Sequence, residues 1–263
     1  MLRDTTETYL AFRKRLSMKK PVFGMALTGP GTAFAEIVAH AGFDFAWIDM
    51  EHTTLSLAEV EHLIITLENR ECIPLVRVRR NEPNCIGQTL DMGALIVNIH
   101  HVDTVEDAGK AVYGAKYYPV GRRGYSTFNR STSQGSDRLN IAYMSRKNDE
   151  TMLMVQIESE EAVNNANEIA AVDGVDALFV GYADLCQDMG IDPDPNHPRC
   201  KEAIREVGEA LKKTGKFGAF ITGNPDEMDY YHDLGYDIIC CGLDTRTMKT
   251  AVEGIYEKFK PYY

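Results

Sequence analysis

Short apolar runs rich in β-branched residues alternate along the chain with longer stretches whose apolar positions recur every three or four residues. The first kind reads as strand and the second as amphipathic helix. Side chains alternate across a strand, whereas on a helix they share a face every 3.6 residues. The pattern predicts strands over Val22–Leu27, Phe45–Asp49, Ile73–Val78, Leu95–Ile99, Met152–Ile157, Ala177–Val180, Phe217–Ile221 and Ile238–Cys241. Helices are expected over Ala33–His40, Leu57–Asn69, Cys85–Met92, Val105–Ala115, Glu160–Ala170, Arg199–Lys213, Asp226–Leu234 and Thr245–Lys258. Eight strand–helix units in succession are the count of an α/β fold closed into a single (β/α)8 barrel. Near-continuous apolar segments such as Ala94–Val97 and Ala177–Val180 fit strands covered on both faces.

Local signals mark the element ends. Ser56-Leu57-Ala58-Glu59 has the form of a capping box, and Asp103-Thr104-Val105-Glu106 offers an acidic cap with Glu at the same offset. Asn224 precedes Pro225 at an expected first helical position. Gly42, Gly174, Gly215 and Gly235 each follow a helical stretch and precede a strand. Two stretches break the rhythm: Tyr117–Leu139, long and Gly/Ser/Arg-rich, and Ile191–Pro198, Pro-rich and stiff. The first is long enough to be functional or mobile. Neither resembles an interdomain linker, so residues 1–263 are expected to form one barrel domain.

Length and charge narrow the function classes. The 263 residues match the roughly 250 typical of one such barrel. A formal net charge of -11 disfavours nucleic acid and anionic membranes as partners, because phosphate surfaces recruit Lys and Arg. No apolar run approaches the roughly 18 residues of a membrane span, and the N-terminus lacks the apolar stretch of a secretory signal. None of the six cysteines forms a C-x-x-C pair. Cys240 and Cys241 are adjacent on an expected strand and face opposite ways, so they do not share a metal easily. Reduced thiols in a cytoplasmic protein are the expectation. The chain has no G-x-G-x-x-G, Walker loop or G-x-S-x-G, which leaves dinucleotide, NTP and serine-hydrolase chemistry without their characteristic turns. No Lys ends a strand; Lys216 begins one, at the wrong end of a barrel for a Schiff base.

Barrel chemistry sits at the strand C-termini. The polar residues there are Asp49, Glu51 and His52 after the second strand, Arg77 at the third, Gln156 and Glu158 at the fifth, and Asp184 beyond the sixth. Glu158 and Asp184 could hold Mg²⁺ or Mn²⁺ with coordination positions left for a bidentate 2-oxo acid, or be solvated rim carboxylates. His52 could move protons with Asp49 setting its tautomer, or be an ordinary loop histidine. His100 and His101 compete with it; adjacent residues point different ways, so at most one is expected to face the site. Arg77 could stabilise an enolate or a carboxylate, or form a structural ion pair. Gly121-Arg122-Arg123-Gly124 offers cations and amides, or only a surface loop.

These residues resemble a known family. AGFDFAWIDMEH (41–52), PLVRV (74–78), YYPVGRRG (117–124), MVQIES (154–159), VDGVDALFVGYADLCQDMG (172–190) and GYDIICCGLDT (235–245) are similar in order and spacing to the metal-dependent class II pyruvate aldolases of the HpcH/HpaI family, the 4-hydroxy-2-oxoheptanedioate and 2-dehydro-3-deoxyglucarate aldolase type. The resemblance implies a (β/α)8 barrel, commonly hexameric, whose last helix is exchanged between subunits. It implies Glu158 and Asp184 as ligands of Mg²⁺ or Mn²⁺, with Co²⁺ or Zn²⁺ as substitutes. It implies His52, Asp49 and Arg77 as catalytic residues, with Gln156, Gly181, Tyr182 and Ala183 lining the substrate. The implied reaction is cleavage or formation of a 4-hydroxy-2-oxo acid through a metal-bound pyruvate enolate, with an aldehyde as the other partner.

The chain departs from the family pattern at Ala26, Met50, Asn98, His100, Tyr182 and Cys186, which alters the pocket lining and spares the residues just named. Two alternatives follow. One is an oxaloacetate-using relative that decarboxylates or condenses, similar to siderophore citrate synthase or macrophomate synthase. The other is a non-catalytic barrel that binds a metal or a 2-oxo acid.

Overall fold

The computed structural model describes residues 5–137 and 140–263. The first four residues, and Arg138 and Leu139 at the end of the expected loop, lie outside the described residues. Strands β1 (Val22–Leu27), β2 (Phe45–Asp49), β3 (Ile73–Arg77), β4 (Ile96–Ile99), β5 (Met152–Ile157), β6 (Ala177–Val180), β7 (Phe217–Ile221) and β8 (Tyr236–Leu243) pair in parallel and in order. β8 returns to β1 and closes the barrel. All eight expected strands are present, seven of them within one residue at each end, and β8 runs two residues further in both directions.

Period-2 alternation divides each strand between two cores. Phe45 and Trp47, Ile73 and Leu75, Met152 and Met154, and Ala177 and Phe179 fill the barrel interior. Their neighbours Ala46, Ile48, Val76, Leu153, Val155, Leu178 and Val180 pack beneath the surrounding helices. Cys240 faces the interior and Cys241 the outer layer, as alternation requires. Continuing the same alternation one step past the apolar interior brings Asp49, Arg77, Asn98 and Gln156 onto the inner wall at the C-terminal rim. Register sets Asp49 beside Arg77, and Arg77 beside Asn98.

Helix Thr5–Ser17 was not read from the pattern. Its Tyr9, Phe12 and Leu16 are buried with the barrel interior, and Phe12 meets Phe45 edge-on at 6.3 Å between centroids. An apolar interior open at its base would expose these rings to water, and this helix covers it. Two further short helices, Ile141–Asp149 and Tyr182–Asp188, were also unread. The expected Glu160–Ala170 helix is two, Glu160–Asn164 and Ala166–Ala171, broken at Asn165.

The capping box at Ser56 is present, as is the Asn224 cap. At the fifth-strand approach the cap is Thr104, whose hydroxyl accepts from the Asp107 N–H, and not Asp103. Threonine offers a hydroxyl one residue nearer the helix, which frees Asp103 to bond Ser159. Gly215 and Gly235 end their helices with left-handed φ of 71° and 100°, a conformation that costs glycine little. Among the described residues no helix is long and apolar enough to cross a membrane.

The last helix, Asp244–Phe259, differs from the rest. Asp244 is buried and its carboxylate accepts from the Thr28 N–H and hydroxyl (2.6 Å to the latter). Beyond that anchor Met248, Val252, Ile255, Tyr256 and Phe259 are all exposed, an apolar stripe at helical spacing without cover in this chain.

Candidate active site

The rim is organised around Arg77. Its Nε and Nη2 donate to the two oxygens of Asp49 at 2.8 and 2.7 Å, and its Nη1 lies 2.9 Å from Glu51 Oε2. The planar fork matches a carboxylate bidentately, so the guanidinium is held in one orientation. Its plane also lies over Trp47, 5.4 Å from the ring centroid. Burial alone would lower the Arg77 pKa, but the Asp49 hydrogen bonds and the charges of Asp49 and Glu51 outweigh it and raise the pKa.

Glu158 follows β5 and is 2% exposed. Its Oε1 accepts the His101 N–H at 2.7 Å, and its Oε2 accepts from Gln156 Nε2. Burial pushes its carboxyl above the usual range; the His101 N–H opposes this, and the charges of Asp184 and Glu51 add to it. Gly181 makes this arrangement feasible. A Cβ there would stand 2.6 Å from Glu158 Oε2, so any larger residue would push into the carboxylate. Asp184 sits in the turn of helix that follows, and among the described residues no basic side chain pairs with it.

Two carboxylates, one deeply buried beside the His101 ring and the other without a basic partner among the described residues, form a hard oxygen donor set. Such a set fits a divalent cation. The cradle that a Cβ at position 181 would fill fits it too.

Asp49, Arg77, Gln156, Gly181, Tyr182, Ala183 and Asp184 line one pocket of about 170 Å³, and Ala26, Trp47 and Phe179 complete its apolar side. Three polar groups near its floor are buried without a partner: Trp47 Nε1, Gln156 Oε1 and both amide atoms of Asn98. Buried groups of this kind are ordinarily satisfied, so the floor has unused donors and acceptors. Trp47 was not singled out from sequence, although its i, i+2 spacing to Asp49 places both on the inner wall.

The expected pairing of His52 with Asp49 is not what forms. Asp49 is taken by Arg77 and by the Glu51 N–H (2.9 Å). His52 is mostly exposed, with Nε2 3.6 Å from Glu51 Oε2. A fork donor at the same register on the adjacent strand competes better for a buried carboxylate than a loop imidazole does. The rule that only one of His100 and His101 can face the site also fails. His101 adopts a left-handed φ of 48°, which folds the chain so that both rings reach rim carboxylates. His100 Nδ1 lies 2.9 Å from Glu51 Oε1, and His101 Nδ1 lies 3.3 Å from Glu158 Oε1. The Gly121–Gly124 segment is structural: Arg123 is buried against Asp91 and stacked on Tyr117, while Arg122 lies over Tyr118.

Fold and rim together define a (β/α)8-barrel enzyme with a carboxylate-rich, arginine-centred pocket. The model of the HpcH/HpaI aldolase/citrate lyase family matches residues 23–251, and the chain belongs to that family. The 4-hydroxy-2-oxo-heptane-1,7-dioate aldolase of Shigella sonnei is 32% identical over 251 residues, covering 95% of this chain and 94% of its own. Among solved structures, an HpcH/HpaI aldolase/citrate lyase family protein from Burkholderia cenocepacia superposes with a TM-score of 0.87 at 30% identity, covering 95% of this chain and 99% of its own. The citrate synthase SbnG superposes with a TM-score of 0.83 at 26% identity, covering 95% and 97%. The curated relatives are named as aldolases, a class of lyase, and this chain is an enzyme of that class.

Proposed function

We propose that this chain is a divalent-metal-dependent aldolase that cleaves or forms 4-hydroxy-2-oxo acids, with pyruvate as the 2-oxo acid and an aldehyde as the second partner. The observation that carries the reading is one small pocket lined by Asp184 and the clamped guanidinium of Arg77, with the buried Glu158 carboxylate set directly behind its Gln156 and Gly181 wall. Mg²⁺ or Mn²⁺ held by Glu158 and Asp184, with Co²⁺ or Zn²⁺ as substitutes, would act as a Lewis acid toward a chelating 2-oxo acid.

The remaining roles belong to the chain's own side chains. Arg77 presents a fixed cation to the oxygen on which charge develops as the carbon–carbon bond breaks. Asp49 and Glu51 keep that cation oriented. Exposed His52 carries protons between solvent and the rim. Gln156 steadies Glu158, and Gly181, Tyr182 and Ala183 shape the wall against which the substrate lies. Ala26, Trp47 and Phe179 exclude water from the opposite side. The enzyme is taken to be cytoplasmic, where its six unpaired thiols stay reduced.

A second reading uses oxaloacetate as the 2-oxo acid, with decarboxylation or condensation replacing aldol cleavage. The likeness to the citrate synthase SbnG and the unpartnered Asn98 amide favour keeping it.

The test is pyruvate release by enzyme stripped with EDTA and then given Mg²⁺ or Mn²⁺, with a 4-hydroxy-2-oxo acid in one series and oxaloacetate in the other. Stripping should abolish turnover and metal should restore it. Glu158→Gln with Asp184→Asn should lower kcat/KM by about 10³-fold or more. Full activity in EDTA, or in that double variant, would sink the metal-dependent reading. Metal and 2-oxo-acid binding with no turnover in either series would make the barrel a binding protein.

A further inference from the structure

A second group of ligand-type atoms lies on the same rim, beside Glu158, whose Oε1 is 3.3 Å from His101 Nδ1. Glu51, His100 and His101 each direct one such atom into a common space, and these atoms all lie within 4.8 Å of one another. Two separations from Glu51 Oε1 are 2.9 Å, to His100 Nδ1, and 3.9 Å, to His101 Nε2. They bracket the about 3.4 Å expected between tetrahedral ligands whose bonds to a cation are ~2.1 Å long.

The tautomer of His100 supplies an independent argument. Its Nε2 lies 3.0 Å from the Arg79 carbonyl oxygen. A carbonyl only accepts, so Nε2 carries a hydrogen, and in the neutral ring Nδ1 presents a lone pair. Nδ1 faces Glu51 Oε1 at 2.9 Å and has no hydrogen-bond partner. Two acceptors 2.9 Å apart repel unless a proton or a metal ion lies between them. Histidine ligands characteristically donate their other ring N–H to a backbone carbonyl, which His100 does. A ligating carboxylate is likewise steadied through its second oxygen, and Glu51 Oε2 is 2.9 Å from Arg77 Nη1. His101 is largely exposed, so its ring can turn to complete the set.

We propose that Glu51, His100 and His101 form a second cation site, selective for borderline ions of the Zn²⁺ and Co²⁺ kind. Two imidazoles and one carboxylate favour such ions over Mg²⁺, whereas the all-oxygen pair Glu158 and Asp184 takes the hard ion. Charge balance points the same way. Four rim carboxylates, Asp49, Glu51, Glu158 and Asp184, face one guanidinium. One divalent ion leaves the rim net negative, and a second makes it net positive, which favours an anionic 2-oxo acid.

Equilibrium dialysis of the stripped, full-length enzyme against Co²⁺, followed by metal analysis, tests this. Two Co²⁺ per chain are expected, and one should remain when Mg²⁺ is in large excess. His100→Gln with His101→Gln should bind one Co²⁺, displaced by Mg²⁺. Glu158→Gln with Asp184→Asn should keep one Co²⁺ that Mg²⁺ does not displace and that shows the visible absorption of a nitrogen-ligated ion. The magnesium arm uses the unaltered chain, so it decides the matter even if a variant misfolds. One Co²⁺ per wild-type chain, fully displaced by Mg²⁺, would overturn the second site while leaving the proposed aldolase metal intact. Two Co²⁺ that both survive in the histidine variant would overturn it as well. A magnesium-resistant Co²⁺ in an enzyme that EDTA does not inactivate would keep the site and remove the metal-dependent reading.

Discussion

Arg77 illustrates how a single position carries geometry that its neighbours enforce. Its three contacts to Asp49 and Glu51, at 2.7 to 2.9 Å, use the guanidinium as a fork. A lysine has the charge but one nitrogen, so it cannot satisfy both carboxylates. Arg77→Lys should fold normally and lower kcat/KM by about 100-fold, measured as pyruvate release with circular dichroism as the folding control. Gly181 acts through space alone. Gly181→Ala puts a methyl 2.6 Å from Glu158 Oε2 and should weaken Mn²⁺ binding by about tenfold or more, read by calorimetric titration. Unchanged affinity would mean that Glu158 has room to move. The residue types at both positions were evident from sequence. The fork partner of Arg77 was not, because a competition between His52 and Arg77 for one carboxylate is settled by distance.

At the scale of elements, strands were read most reliably because burial on both faces leaves an unbroken apolar signature. Every one of the eight was found, down to the ends of β1, β2, β5, β6 and β7. Helix Thr5–Ser17 is weakly marked: it precedes the strand–helix rhythm, and its buried face is only three residues wide, Tyr9, Phe12 and Leu16, in an otherwise polar segment. Leu16→Ala should cost about 3 kcal/mol of stability, seen as a lower urea midpoint, with activity per folded molecule unchanged because the site is at the opposite end.

Lys116 closes helix Val105–Ala115 on the same basal side. It is buried, and its ammonium donates to Asp176 and to the Asn148 and Thr151 carbonyls at 2.8 to 2.9 Å. Lys116→Met would take this donor from two carbonyls and leave the Asp176 carboxylate with the Leu153 N–H and a more distant Arg13. The expected loss is again about 3 kcal/mol, without effect on KM. Helix Tyr182–Asp188, which carries Asp184, was missed because seven residues show no clear period.

For the whole molecule, the last helix is the part that this chain alone does not explain. Met248, Val252, Ile255, Tyr256 and Phe259 are exposed on a helix that is anchored only at its start. An apolar stripe of this size is ordinarily covered. The family resemblance suggests another copy of the chain, up to a hexamer with exchanged last helices. Light scattering should therefore show an oligomer. Ile255→Asp with Tyr256→Asp should reduce it to a smaller species while leaving helix content unchanged. A wild-type chain that runs as a monomer at micromolar concentration would remove this expectation.

By itself the sequence determined the strand count, the closed barrel and the set of polar residues at the rim. Those follow from periodicity, which is local, and from alternation, which carries each strand's inward face to its end. Only the tertiary structure decided who pairs with whom there. Asp49 binds Arg77 rather than His52, because the two lie at the same register on adjacent strands. His100 and His101 both reach the rim because one backbone dihedral at His101 turns the chain. Partners on different strands are set by register and loop conformation, and no local pattern in the chain records either.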